Sequence, residues 1–177
     1  MRTRETRHAK RRFAATALVP LLAAAAVHAP DARAAEPVIA GWIERISLTE
    51  KSLVFDAKLD TGADSSSLNG RDIERFRRGG RPFARFALTD DSGRSVRLDA
   101  PVVRMVRIRR AGADSDRRAV VRLKVCVAGV IANGDFTLAD RGDLAYQVLI
   151  GRNVLAGRIL VDSGRERIVS DRCGPAR

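Results

Sequence analysis

Asp60-Thr61-Gly62-Ala63-Asp64 is the string in this 177-residue chain best placed to do chemistry. It directly follows Leu53–Leu59, where Leu53, Phe55, Ala57 and Leu59 alternate with Val54, Asp56 and Lys58. That period of two is the mark of a strand with one buried face. A carboxylate at the end of such a strand, ahead of a hydroxyl and a glycine, can be held in a tight loop and shown to a substrate. Gly62 lets the backbone turn sharply and approach a partner closely. The Thr61 hydroxyl can bond to backbone and brace the loop. A second string, Val148-Leu149-Ile150-Gly151-Arg152-Asn153, reads as a buried strand that breaks at its glycine into a short helix. Each string alone also has a plain structural reading, a polar turn after a strand and an ordinary strand–turn–helix.

Other catalytic routes close on the histidine count. The chain has 2 histidines, His8 and His28, and both precede residue 35. Residues 1–12 carry Arg2, Arg4, Arg7, Lys10, Arg11 and Arg12; residues 13–29 are uncharged and rich in Ala, Leu and Val; Ala32-Arg33-Ala34 follows. A basic head, a short apolar run and an Ala-x-Ala end read as a secretory signal peptide over residues 1–34. That places the protein in the periplasm or outside the cell, with an uncleaved anchor as the alternative and membrane attachment only in that case. Residues 35–170 form the folded domain and residues 171–177 a C-terminal tail. A domain without histidine cannot run a Ser/His/Asp or Cys/His site, and it lacks the ligands of most catalytic zinc centres. No His-Glu-x-x-His string and no phosphate-binding Gly-x-x-x-x-Gly-Lys string occurs. The expectation is therefore no metal and no cofactor, with carboxylates as the catalytic groups.

The formal charge is +12, from 33 basic and 21 acidic residues. The leader holds seven of the basic and two of the acidic residues, so 26 and 19 remain, a net of +7. Nucleic acid is not the expected partner. The clusters Arg75, Arg77, Arg78, Arg81 and Arg104, Arg107, Arg109, Arg110 alternate with other residues, as solvated strand faces do, without the aromatics that stack on bases. A basic face can instead favour acidic substrates or an anionic envelope surface. Cys126 and Cys173 can pair in an oxidising compartment; equally, Cys126 can be a small buried residue of the apolar run 123–127.

The elements that must position these groups read as strands. Val38–Leu48 and Leu53–Leu59 come first, then a hairpin over 83–98 turning at Asp90-Asp91-Ser92-Gly93. Further strands fall at 102–108, 119–127, 136–138, 145–150, 158–161 and 167–169, with a polar connection at 111–116. One or two helical turns fit 71–77, and about one fits 153–157. Aromatic residues make up 5% of the chain, so the core is aliphatic. Many short strands with turn signals between them indicate an all-β barrel or sandwich.

Taken together and in this order, the two strings resemble the retropepsin family of aspartic proteases. The surroundings, 59–68, 136–141 and 149–162, are similar to the bacterial retropepsin-like group that carries the label "ATP-dependent zinc protease". The resemblance covers about residues 39–169 and implies a closed acid-protease β-barrel with one or two short helices. The zinc and ATP of that label find no ligands here. By the resemblance, Asp60 is the catalytic aspartate, Thr61 carries a hydroxyl that crosslinks two active-site loops, and Gly62 admits the substrate backbone. Ala63 and Asp64 line the cleft, Gly151, Arg152 and Asn153 pack beneath it, and Arg152 pairs with Asp64. The hairpin around Asp90–Gly93 would be the flap, although its tip is polar.

Such a mechanism needs two aspartates, and the chain holds one Asp-Thr-Gly. Asp140 and Asp162 lack that loop context. The resemblance thus implies a homodimer with one Asp60 from each subunit, acting as an endopeptidase on a protein or peptide substrate. The alternative is a catalytically inactive, peptide-binding module of the cell envelope.

Overall fold

The computed structural model describes residues 36–110, 113–139, 142 and 144–173. The leader expected at 1–34, Asp140 and residues 174–177 of the tail lie outside the described residues. Ten strands follow in order: β1 (Val38–Leu48), β2 (Leu53–Leu59), β3 (Ser66–Asn69), β4 (Arg71–Arg78), β5 (Arg81–Thr89), β6 (Ser95–Arg110), β7 (Ala113–Val127), β8 (Val130–Ala139), β9 (Val148–Ile150) and β10 (Ile159–Glu166). One helical turn, α1 (Arg152–Leu155), lies between β9 and β10, and a 3-10 turn (Ser170–Cys173) comes last.

The strands form one sheet in the order β10-β1-β2-β9-β3-β8-β7-β6-β5-β4, and β1 also pairs with β7. That extra pairing closes a six-stranded barrel, β1-β2-β9-β3-β8-β7, so the protein is all-β as the patterning indicates. Closure removes edges within the barrel and leaves β10 and β4 as the end strands of the sheet. β2 shows the logic in miniature: Leu53, Phe55, Ala57 and Leu59 are buried, while the residues between them are partly exposed. Leu68, Phe136, Leu138 and Ile150 join these side chains in the core.

Several expectations need correcting. Residues 71–77 are not helical but belong to β4. Ile73 and Phe76 lie three apart and imitate a helical face, yet Gly79 and Gly80 both have positive φ (55° and 77°). Two such residues make the tight turn that suits a two-residue hairpin, and it folds β4 back on β5 with Phe76 opposite Phe83. The strands expected at 94–98 and 102–108 are one strand, β6, which pairs with β5 up to Pro101 and with β7 from Val102. The connection expected at 111–116 is mostly β7, which starts at Ala113. β3 was not foreseen, and the strand expected at 145–150 is only Val148–Ile150. Residues 167–169 are not a strand. They are held instead by Glu44, which is fully buried and accepts hydrogen bonds from the amides of Ile168 (3.1 Å) and Val169 (3.3 Å). Glu44 also accepts from the Gly41 amide (2.7 Å), within the β1 bulge.

The structure joins Cys126 of β7 to Cys173 of the last turn in a disulfide, with 5.6 Å between their Cα atoms. Residues 171–173 are thus fastened to the barrel rather than forming free tail.

Candidate active site

Asp60 lies where β2 ends. Its amide donates to the Ile150 carbonyl (2.8 Å), so β9 fixes where the loop begins. The loop then doubles back, with the Ala63 amide donating to the Asp60 carbonyl (3.3 Å). One carboxylate oxygen of Asp60 accepts from the Gly62 amide (2.9 Å). The other lies 3.8 Å from the Lys58 ammonium. The Asp60 side chain remains 28% exposed, which leaves it open to a substrate or a partner. Thr61 and Gly62 are exposed as well.

The second string holds this loop from behind. The Arg152 and Asn153 amides, at the start of α1, donate to the carbonyls of Ala63 (2.8 Å) and Asp64 (3.2 Å). These amides open a helical turn and have no partner within it; the loop carbonyls satisfy them. The Arg152 guanidinium donates to the Thr61 carbonyl (2.7 Å) and forms an ion pair with the Asp64 carboxylate. Gly151 is required by contact: a Cβ there would lie 2.7 Å from the Ser65 carbonyl and 2.9 Å from the Ala63 oxygen. Asn153 is bridged inward. The Ser66 hydroxyl donates to its Oδ1 (2.9 Å) and accepts from the Gly151 amide (3.0 Å). Asn153 Nδ2 donates to the Asp135 carbonyl on β8 (2.9 Å).

Residues 60–64 and 151–153 therefore make one hydrogen-bonded unit. Two residues in contact with it, Lys58 and Ser66, carry no signal of function in the sequence. Lys58 shares the face of β2 that leads to Asp60, and only the alternation of the strand points to it. Ser66 depends on how β3 meets β9, which no local pattern reveals. Asp135 sits behind the unit between Arg122 (2.8 Å) and Arg104 (2.6 Å). The hydrogen bond from Arg122, with that from Arg104, holds its carboxyl below the usual carboxylate range.

Within the described residues, no hydrogen bond or ion pair links Asp60 to a second carboxylate. Asp162 is engaged at its own turn, with the Gly164 amide (2.8 Å) and Arg165 (2.7 Å). No group of three or more potential metal-ligating side chains is gathered among the described residues.

The flap assignment is overturned. The Asp90–Gly93 turn is clamped to the start of β2, at the end away from Asp60. Asp91 N donates to the Val54 carbonyl (3.3 Å), and Asp91 Oδ2 accepts from the Asp56 amide (2.5 Å). Arg94 donates to the carbonyls of Lys51 (2.6 Å) and Ser52 (2.7 Å). At about 3.3 Å per residue, these contacts lie roughly 13 Å (Asp56) to 20 Å (Val54) along the strand from Asp60. A hairpin so fastened cannot arch over the Asp60 loop.

Comparison with known proteins gives three findings. Residues 39–172 match the family described as RimB-like, retropepsin-like aspartic endopeptidase RimB. Curated relatives include a protein of Parasynechococcus marenigrum named probable alpha-L-glutamate ligase, 30% identical over 71% of this chain and 28% of that protein. A protein of the same name from Shewanella pealeana is 29% identical over 60% of this chain and 24% of its own length. The chain thus spans about a quarter of these relatives. Among solved structures, a Legionella pneumophila protein of unknown function superposes with a TM-score of 0.65 at 26% identity, covering 75% of this chain and 98% of that one.

Proposed function

The chain belongs to the RimB-like family of retropepsin-like proteins, and from that premise we propose that it is an aspartic endopeptidase whose active site forms between two copies. The observation that carries the reading is the Asp60 loop itself. Its carboxylate is oriented by the Gly62 amide and left open to solvent, and the loop is locked from behind by Arg152. A chain with one such loop supplies half of a two-carboxylate site, and a two-fold axis supplies the other half.

Two carboxylates brought close cannot both ionise, so they share one proton. The ionised Asp60 takes a proton from a bound water, whose oxygen attacks the peptide carbonyl carbon. The protonated Asp60 hydrogen-bonds to the carbonyl oxygen as charge develops on it. When the C–N bond breaks, a proton passes to the leaving amine. The exposed Thr61 hydroxyl is free to reach the partner's loop. The Cys126–Cys173 disulfide supports an oxidising compartment, in keeping with export by the leader.

The test is cleavage of a mixed peptide library, with products read by N-terminal sequencing. Cleavage is expected from the wild type and is lost in Asp60→Asn. Equal cleavage by both proteins contradicts the assignment.

The relatives' name narrows the substrate. Probable alpha-L-glutamate ligases, together with a net charge of +7 on residues 35–177, support glutamate-rich peptides as the substrate class. Peptides with Glu flanking the scissile bond should then be cut with higher kcat/KM than their Gln counterparts, and less so as salt rises. Equal values for the two series would remove this narrower reading and leave the broader one standing.

A further inference from the structure

The β4–β5 hairpin lies outside the barrel and plays no part in the Asp60 unit. Three of its features point the same way. First, β4 is the last strand of the sheet and pairs only with β5 among the described residues, so one of its edges is open. An open edge presents a row of unpaired amides and carbonyls, a template for an added strand. Second, Arg71, Arg75 and Arg77 of β4 and Arg81 of β5 have no ion-pair partner among the described residues, unlike Arg78 and Arg85, which share Asp99. Third, a groove of about 520 Å³ opens beside this strand, where β6 turns from β5 towards β7. Phe76, Pro82, Phe83, Val103 and Met105 line it, and Arg75, Arg77 and Arg104 stand around it. The aromatic pair in it is already a cation platform: the Arg78 guanidinium lies 4.8 Å from the Phe83 centroid, and that of Arg85 lies 5.2 Å from the Phe76 centroid. The arginine cluster is thus interleaved with aromatic residues, contrary to the reading of it as a plain solvated face.

These features select an occupant. A second copy of this chain would bring a second arginine-bearing edge against the first, and like charges across a strand pair repel. An acidic segment meets the opposite condition. We propose that the β4 edge and its groove dock an extended, acidic polypeptide segment, which adds as a strand against β4 and seats an aromatic or aliphatic side chain on Phe76 and Phe83. The site is separate from the Asp60 loop and binds whether or not that loop cleaves.

The experiment uses the whole chain carrying Asp60→Asn, so that cleavage does not enter. The probe is a fluorescent eight-residue peptide alternating Glu with Phe and Val, and binding is read by anisotropy. The Gln-for-Glu version of the peptide and the double variant Arg75→Glu/Arg77→Glu should each bind at least about tenfold more weakly, and salt should weaken the parent peptide. Val103→Glu, which changes an exposed wall of the groove, should weaken it too. Thermal melts of each variant establish that the barrel is intact. Equal affinity for the Glu and Gln peptides overturns the proposal, as does undiminished binding by the folded double variant. So does binding of phosphatidylglycerol vesicles through these arginines when the peptide does not bind.

Discussion

Gly151 does for the Asp60 loop what no residue within the loop can do: by lacking a side chain it lets the loop carbonyls reach the amides of α1. A methyl group there meets backbone atoms of Ser65 and Ala63 at 2.7–2.9 Å, in a loop that the Arg152 and Asn153 amides hold in place. Gly151→Ala should cost about 1–3 kcal/mol, as overpacking in a closed site does, and should reduce cleavage by moving Asp60. Urea unfolding and peptide turnover check the two effects. The residues of this unit were legible in the sequence because their types are distinctive: an acid, a hydroxyl and a glycine at the end of an alternating strand. Lys58 and Ser66 were not, since a lysine on one strand and a serine opening another carry no signal until the neighbouring strands are known. The ionisation of individual acids adds a test by pH. Asp135 is held below its ordinary value of 3.8 by the hydrogen bond from Arg122, and Asp99 by that from Arg85. A lowered folded value means stabilisation that is present above the unfolded value and lost as pH falls through the folded one. Stability should therefore hold down to about pH 4 and decline below it. Asp91 runs the other way: burial raises its value, so its ionised form disfavours the fold at neutral pH. Asp91→Asn should raise the urea midpoint at pH 7, and a lower midpoint would refute that account.

At the scale of elements, what the sequence hid was mostly long-range pairing. The alternating run of β2 was readable because one face is buried along its whole length. β4 was misread because its burial is slight, leaving only Ile73 and Phe76 to set a period, while the turn at Gly79-Gly80 decided the outcome. The flap was misplaced for a related reason. A hairpin around Asp90–Gly93 does form, but what that hairpin touches depends on side chains far off in sequence, above all the reach of Arg94 to Lys51 and Ser52. Ile168, Val169 and Cys173 are likewise held by distant groups, Glu44 and Cys126. The disulfide spans a separation of 47 residues, and a crosslink of this kind typically contributes about 2–4 kcal/mol. Cys173→Ser should lower stability by that order in urea unfolding, while a reducing agent should leave the variant's midpoint unchanged and lower that of the wild type.

At the scale of the molecule, the proposed mechanism calls for two copies: one domain offers one Asp60, and on that proposal the second carboxylate comes from another chain. One surface suits that contact. β10 is the other end strand of the sheet, and Leu160 (58% exposed) lies beside Ile39 (53% exposed) across the β1–β10 ladder. Two apolar side chains in the open beside an unpaired edge favour association. Leu160→Glu should therefore raise the protein concentration at which activity reaches half its maximum, by about tenfold, without unfolding the barrel; sedimentation and activity against concentration check this. The shared site itself is tested most directly by mixing. Wild-type and Asp60→Asn chains are exchanged at fixed total concentration, and peptide cleavage is followed as the wild-type fraction falls. If each active site takes one Asp60 from each of two chains, activity follows the square of that fraction, so an equal mixture retains about one quarter of the full rate. A rate that falls in simple proportion, to about one half, would mean that each chain works alone and would contradict the account.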